Sequence, residues 1–130
     1  VADLAGAKLG AQVGTTSYDA IEQQIKPSTK PMVYNSNDLA VQALKNKQID
    51  GIVVDLPTAF YMTAAQLDNG VIVGQLPAAS SSVEQFGAVL DKGSALTSCV
   101  TSAVDALRDG GVLKQLADTW LAGQGAPELK

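Results

Sequence analysis

Short apolar runs alternate along this chain with longer stretches whose apolar positions recur at helical spacing. Leu9–Val13 is a compact strand of small apolar residues that ends at Gly14. Ahead of it, Val1–Gly6 is a short lead-in with Asp3 placed to cap one turn. A helix is expected from Thr15 to about Ile25, with Thr15 and Thr16 as cap candidates and Asp19 and Glu22 near its positive end. Its Ile21 and Ile25 share a face. Pro27 to Pro31 ends it, and Met32–Tyr34 is a second short strand. Asn37-Asp38 caps the next helix, whose stripe is Leu39, Ala43 and Leu44, with Val41 off to one side. Ile52–Val54 forms a third strand. Pro57 then sits in the first turn of a helix running to about Leu67, where its missing N–H costs nothing.

Beyond Asp68-Asn69-Gly70 the pattern predicts two further strands, Val71–Val73 and Phe86–Leu90, separated by the linker-like stretch Pro77–Ser82. Ser94–Arg108 is a helix with Leu96, Val100, Ala103, Val104 and Leu107 on one face. Asp109-Gly110-Gly111 stops it. A last helix carries Val112, Leu113, Leu116 and Trp120 before a polar tail, Gly123–Lys130. Strands joined by single helices predict an α/β fold with a mostly parallel, five-stranded sheet flanked by helices. The two C-terminal helices in succession break that alternation and read as an appendage.

Composition narrows the chemistry. The chain has 130 residues, 46% apolar and 17% charged, and a positive mean hydropathy of +0.12, which makes it globular rather than disordered. Its net charge is −4 and no two basic residues adjoin, so nothing supports a nucleic-acid surface. No histidine is present, which removes imidazole acid–base catalysis, Ser-His-Asp and Cys-His pairs and histidine metal sites. The single cysteine, Cys99, has no partner for an internal disulfide and falls beside an apolar helix stripe, where a half-buried packing role is expected. No apolar run reaches membrane-spanning length. The opening Val1-Ala2-Asp3-Leu4 reads as mature sequence cut from something longer.

Two strand ends carry complementary chemistry. Gly14-Thr15-Thr16 follows the first strand and offers turn N–H groups, hydroxyls and a helix dipole to an anion. Asp55 ends the third strand and can accept charge-assisted bonds from an ammonium. In open α/β sheets ligands bind beyond the carboxyl ends of the strands, so the pair suits a zwitterion such as a free α-amino acid. The plainer alternative is that Thr15 or Thr16 and Asp55 only cap their helices. Asp50 lies at the other end of the third strand from Asp55, so the two cannot form a catalytic pair. Gly14-Thr15-Thr16 is no nucleotide loop either, because no Lys-Ser/Thr follows it. Tyr18 and Tyr61 read mainly as packing residues, and Leu116 and Trp120 as core.

Four segments resemble the family 3 extracellular solute-binding proteins, the polar amino-acid receptors of ABC importers. Leu4–Thr16 is similar to that family's L-x-G-K-x-V-G-V-x-x-G-T-T. Within Leu39–Pro57 the run A-L-K-N-K-Q-I-D-G-I-V-V-D-L-P is similar to A-L-x-x-G-x-I-D-A-x-x-x-D-x-P. Glu84–Gly93 resembles E-x-Y-G-I-A-x-x-K-G, and Val104–Trp120 resembles the family's closing helix pair. The four occur in the family's order and cover nearly the whole chain.

The resemblance implies a lobe of the type II periplasmic-binding-protein fold. Residues 1–83 would be the second lobe, and residues 84–130 the crossing strand and the helices that complete the first lobe. It implies that Thr16, with Thr15 and the N–H groups around Gly14, touches a ligand carboxylate, and that Asp55 holds the α-amino group. Gln12 and Val54 would line the side-chain pocket, and Gln12 points to a polar ligand such as glutamine. The first half of the family's first lobe is absent, with the arginine and aromatic residues that complete the clamp.

The implied protein is not an enzyme and uses no cofactor. It resides outside the cytoplasm, in the periplasm or as a surface lipoprotein, and delivers its amino acid to an ABC permease. Two rivals share the fold, a ligand-sensing receptor domain and a dehydratase-like enzyme. The lack of histidine and of a second cleft carboxylate opposes the second. Without their first-lobe partner, the last two helices are expected to expose apolar stripes and to favour a homodimer or domain swap.

Overall fold

The computed structural model describes residues 1–77, 86–121 and 126–130. The chain divides into two compact units. An α/β unit comprises Val1–Pro77 and Ala126–Lys130, and a helical unit comprises Ala78–Gly125.

In the α/β unit a 3-10 turn, Ala2–Gly6, leads into β1 (Leu9–Gln12). Asp3 lies inside that turn and Val1 takes the cap position. α1 (Thr16–Ala20) widens into a π turn over Ile21–Ile25, where Lys26 N–H reaches back to Ile21 O at 2.9 Å. β2 (Met32–Tyr34), α2 (Asn37–Lys45) and β3 (Gly51–Ile52) follow. α3 (Leu56–Tyr61) likewise widens, over Met62–Gln66.

The sheet order is β2-β1-β3 and both pairings are parallel, with Gly10 opposite Met32 on one side and opposite Ile52 on the other. Going from β1 to β2 and then back past β1 to β3 reverses direction. Right-handed crossovers therefore put α1 and α2 on opposite faces of the sheet. β1 is central and covered on both sides, which explains the run of small apolar residues Leu9–Ala11 within it. Leu9 and Ala11 form a buried cluster with Ile21 and Ile25, flanked by Leu4, Tyr18, Val53 and Leu76. On the other face, the backbone of Gly10 is overlain by Tyr34 and Ile49. A Cβ there would lie 2.8 Å from Tyr34 Cε2 and 2.9 Å from Ile49 Cδ1.

The structure corrects several sequence expectations. Among the described residues the sheet has three strands, not five. Val71–Val73 has no strand partner among the described residues, and Val71 is 80% exposed. Phe86–Leu90 likewise has no strand partner among the described residues, with Val89 96% exposed. A strand exists only where a neighbouring edge accepts its N–H and C=O groups. Phe86–Leu90 falls in a unit whose other described elements are helices. The linker expected at Pro77–Ser82 lies mostly outside the described residues. α2 is capped by Ser36, whose Oγ accepts from Leu39 N–H at 3.3 Å, rather than by Asn37-Asp38. It buries Ala40, Val41 and Ala43 while Leu39 is 44% exposed, so its inward face is rotated from the expected stripe.

The helical unit contains α4 (Thr97–Asp109) and α5 (Val112–Trp120), joined at Gly111, which takes a left-handed φ of 73°. Exposed ion pairs Asp105–Arg108 and Lys114–Asp118 brace the helices. Their apolar residues are not buried. Leu96, Leu107, Leu113 and Leu116 are exposed, and Trp120, expected as core, is 64% exposed. Leu113, Leu116 and Trp120 line an open groove with Phe86, Arg108, Ala117 and Leu121. Cys99, expected half-buried, is exposed on α4. Among the described residues no helix is long and apolar enough to cross a membrane.

Gly10→Ala should destabilise the α/β unit by about 1–3 kcal/mol through overpacking against Tyr34 and Ile49. Gly6→Ala, with nothing within 4 Å of the added methyl, serves as the comparison and should change stability by less than about 0.5 kcal/mol. Urea unfolding followed by circular dichroism distinguishes them, and equal midpoints would refute the close packing at Gly10.

Candidate functional site

The reversal of chain direction in the order β2-β1-β3 falls between β1 and β3. In an open parallel sheet such a reversal opens a crevice at the carboxyl ends of the two strands, because the loops leaving them diverge to opposite faces. β1 delivers Gln12, Gly14, Thr15 and Thr16 to this crevice, and β3 delivers Val54 and Asp55. The ladder pairs Gly10 with Ile52, and Val53 N–H donates to Gly10 O at 3.0 Å, so Gln12 and Val54 each follow two residues after paired positions. All six sequence-selected residues thus come from the two strand ends that flank the reversal. Gln12, Thr15 and Val54 are half-buried, whereas Gly14, Thr16 and Asp55 are exposed.

The two ends differ in how their groups are occupied. Gly14 turns the chain with a φ of +71°, a region that glycine enters without steric cost. Thr15 holds the cap position of α1 in an extended conformation, yet its hydroxyl does not cap the helix. Its Oγ1 donates back to the carbonyl of Gln12 at 2.8 Å and tightens the turn. No cap side chain therefore covers the first N–H groups of α1. With the Thr16 hydroxyl, these donors at the positive helix end suit a carboxylate.

Asp55 does cap its helix. Its Oδ2 accepts from Thr58 N–H at 3.2 Å and from Thr58 Oγ1 at 2.7 Å. Oδ1 has no hydrogen-bond partner among the described residues and remains open to a donor. A capping carboxylate is also an oriented one, so the plainer reading of Asp55 and the ligand reading are compatible. Asp50, by contrast, sits at the far end of β3, where its Oδ2 accepts from Lys8 N–H at 2.8 Å and staples the start of β1.

Tyr18 lies one turn into α1. Its hydroxyl donates to Glu22 Oε1 at 2.7 Å. That bond raises the phenol pKa above its ordinary value, with smaller contributions from burial and from the negative charges of Glu22 and Asp19. Tyr61, the other aromatic candidate, is exposed on α3. Sequence reasoning missed Tyr34, which stands opposite Gln12 in the ladder. Its buried hydroxyl has no partner among the described residues, as does Asn37 Oδ1 at the start of α2. A tyrosine at the end of a short strand gives no signal of this in sequence. Among the described residues no cluster of three or more metal-ligating side chains occurs.

The raised Tyr18 pKa sets a sign for its pH dependence. Its contribution to stability is complete below the unfolded phenol pKa and is lost as pH rises through the higher folded value. Glu22→Gln should lower the Tyr18 pKa toward that of an ordinary tyrosine. Ultraviolet titration in a background lacking Tyr34 and Tyr61 would show it, and an unmoved titration would exclude the Glu22 bond. Gly14→Ala should cost about 1–2 kcal/mol, because alanine is strained at a left-handed φ; an unchanged urea midpoint would argue against that turn.

Comparison with known proteins adds to this geometry. No protein-family model matches the chain, and no solved structure matches it. An L-arginine-binding protein of Pseudomonas aeruginosa is 32% identical over 126 residues, which cover 93% of this chain and 49% of that protein. The chain therefore spans about half the length of the curated relative it matches, and its similarity is to an amino-acid-binding protein.

Proposed function

We propose that this chain is part of an extracytoplasmic solute-binding protein of the polar amino-acid type, which captures a free amino acid for uptake by an ABC importer. The reading is carried by one observation. In a chain 32% identical to an L-arginine-binding protein, an uncapped helix start and an oriented carboxylate flank the crevice where the sheet order reverses. The first answers an α-carboxylate and the second an α-ammonium. Thr16 and the N–H groups after Gly14 hold the carboxylate, Asp55 Oδ1 accepts the ammonium, and Gln12 and Val54 border the side chain. No step of bond chemistry is involved, and the protein is a binder rather than an enzyme.

Residues 1–83 form the second lobe in this reading. Residues 84–130 supply the crossing segment and the helices that complete the first lobe, whose exposed apolar residues are then covered by the remaining half. The ligand is a polar amino acid. The relative's name points to arginine, and the uncharged amide of Gln12 to glutamine. Binding energy favours the closed arrangement of lobes only through contacts made in that state. With Gly14, Thr16 and Asp55 exposed on this half alone, a ligand keeps much of its surface in water, whereas a finished site buries most of it.

Arginine and glutamine titrated into the isotope-labelled chain should shift the amides of Gly14–Ser17 and Val54–Asp55, with saturation only near the millimolar range, about −4 kcal/mol of binding. Asp55→Asn preserves the capping geometry while removing the charge, so it should weaken binding at least about tenfold with the fold unchanged. Unaltered affinity in Asp55→Asn, or shifts confined to other residues, would remove Asp55 from the site. Calorimetry on the complete two-lobed protein should then give at least about a hundredfold tighter binding to one polar amino acid, some 2.7 kcal/mol.

A further inference from the structure

The α/β unit binds its own returning segment. Gln75 N–H donates to Pro127 O at 2.8 Å, and the Val1 nitrogen donates to the Lys130 carbonyl. α4 and α5 pack on each other, but their remaining apolar faces meet nothing else among the described residues of the helical unit. A helix of nine residues such as α5 is marginal in water unless its apolar face is packed.

The open face of α5 is Leu113, Leu116, Ala117 and Trp120, spaced i, i+3, i+4, i+7. With Phe86, Arg108 and Leu121 these residues wall a groove of about 570 Å³. The charged side chains of α5 lie off that face and pair with each other, Lys114 with Asp118. Arg108 does reach the groove, and Asp105 already meets its charge. The face therefore carries no charge that would repel a like surface or require an opposite one.

Such a stripe is its own complement. Two copies of α5, antiparallel about a twofold axis between Leu116 and Ala117, set Leu113 opposite the partner's Trp120. Leu116 then meets the partner's Ala117, large against small, and the helix dipoles oppose. The size fits as well. Phe86, Leu107, Val112, Leu113, Leu116 and Trp120 leave roughly 600 Å² of apolar surface in water, with Trp120 64% and Phe86 77% exposed. That is the top of the range for the largest patch on a monomer, and most of the ~800 Å² that each partner buries in a stable pair.

We propose that two copies of this chain pair through α5 as a closed, twofold dimer, each groove receiving the partner's Leu113–Trp120 stripe. An isologous face is used up on pairing, so assembly stops at two. The dimer does not depend on amino-acid binding. In the two-lobed protein proposed above, the remaining half and a second copy compete for this one surface, so pairing belongs to the chain without that half.

Sedimentation equilibrium of the full chain, with tryptophan emission read on the same samples, tests this. The mass should rise from 13.4 kDa toward twice that value, with a midpoint between about 1 and 100 μM. Trp120 is the sole tryptophan, and its emission should move to shorter wavelength at the same midpoint. Leu116→Glu sets a carboxylate against the partner's Ala117 and should weaken pairing at least about a hundredfold. Asp118→Asn, off the apolar face, should leave the midpoint within about twofold. The dimer is overturned if the chain stays at 13.4 kDa up to about 1 mM, or if the mass climbs past two copies. It is equally overturned if the mass doubles with no shift in Trp120 emission, or if Leu116→Glu folds and pairs as before. Weakening by Asp118→Asn as great as that by Leu116→Glu also overturns it. Should Leu116→Glu not fold, the mass and emission of the unmodified chain decide.

Discussion

The structure depends on the way β1 is enclosed. Among the described residues it is the one strand bonded on both edges, with β2 on one side and β3 on the other. Its two faces meet different partners: Leu9 and Ala11 face Ile21 and Ile25, and Gly10 lies under Tyr34 and Ile49. The missing side chain at Gly10 is what admits that second layer. Remove the space and β2 and the segment before β3 must shift together, since Tyr34 belongs to one and Ile49 leads into the other. Because β1 leads into the Gly14 turn and β3 runs on toward Asp55, the same packing bears on the spacing of the candidate site. Fold and site therefore rest on a single close approach.

The two ends of the crevice show how local and functional roles share residues. Thr15 turns its hydroxyl to Gln12 O and leaves the start of α1 without a side-chain cap, at the cost of unsatisfied N–H groups facing water. Asp55 spends one carboxylate oxygen on Thr58 and keeps the other. An anion and a cation meeting there would complete what the helix ends leave open, so binding and helix stability act in the same direction. The π turns that follow α1 and α3 lie one turn further on and do not disturb either helix start.

The helical unit has a different character. Its helices are well formed along their length, braced by i,i+3 and i,i+4 ion pairs, yet their large apolar side chains stay exposed. Exposed ion pairs contribute little, and helices of this kind draw most of their stability from packing of the apolar face. In the proposed two-lobed protein that face is covered by the other half of the clamp. The α/β unit, in contrast, closes on itself through the pairing at Gln75.

The sequence by itself determined the local elements whose causes are local. The Gly14 turn, the Pro57 helix start with Asp55 before it, the parallel α/β alternation through β3, and α5 from Val112 to Trp120 were all legible from turn chemistry and helical spacing. Gly14, Thr15, Thr16 and Asp55 were singled out there too, because strand ends followed by helix starts announce their own chemistry, whereas Gln12 and Val54 came only from the family resemblance; their part in binding belongs to the proposed function. Tertiary structure decided everything that needs a partner. Val71–Val73 and Phe86–Leu90 have strand-like patterns but no sheet edge to join among the described residues, and α2 turned Val41 inward because the sheet, not the stripe, chose its buried face. The polar-looking tail became part of the α/β unit through Gln75, a pairing between residues too far apart for any local pattern to reveal. Periodicity reports what a segment can bury or bond; only the assembled chain supplies the neighbour that lets it do so.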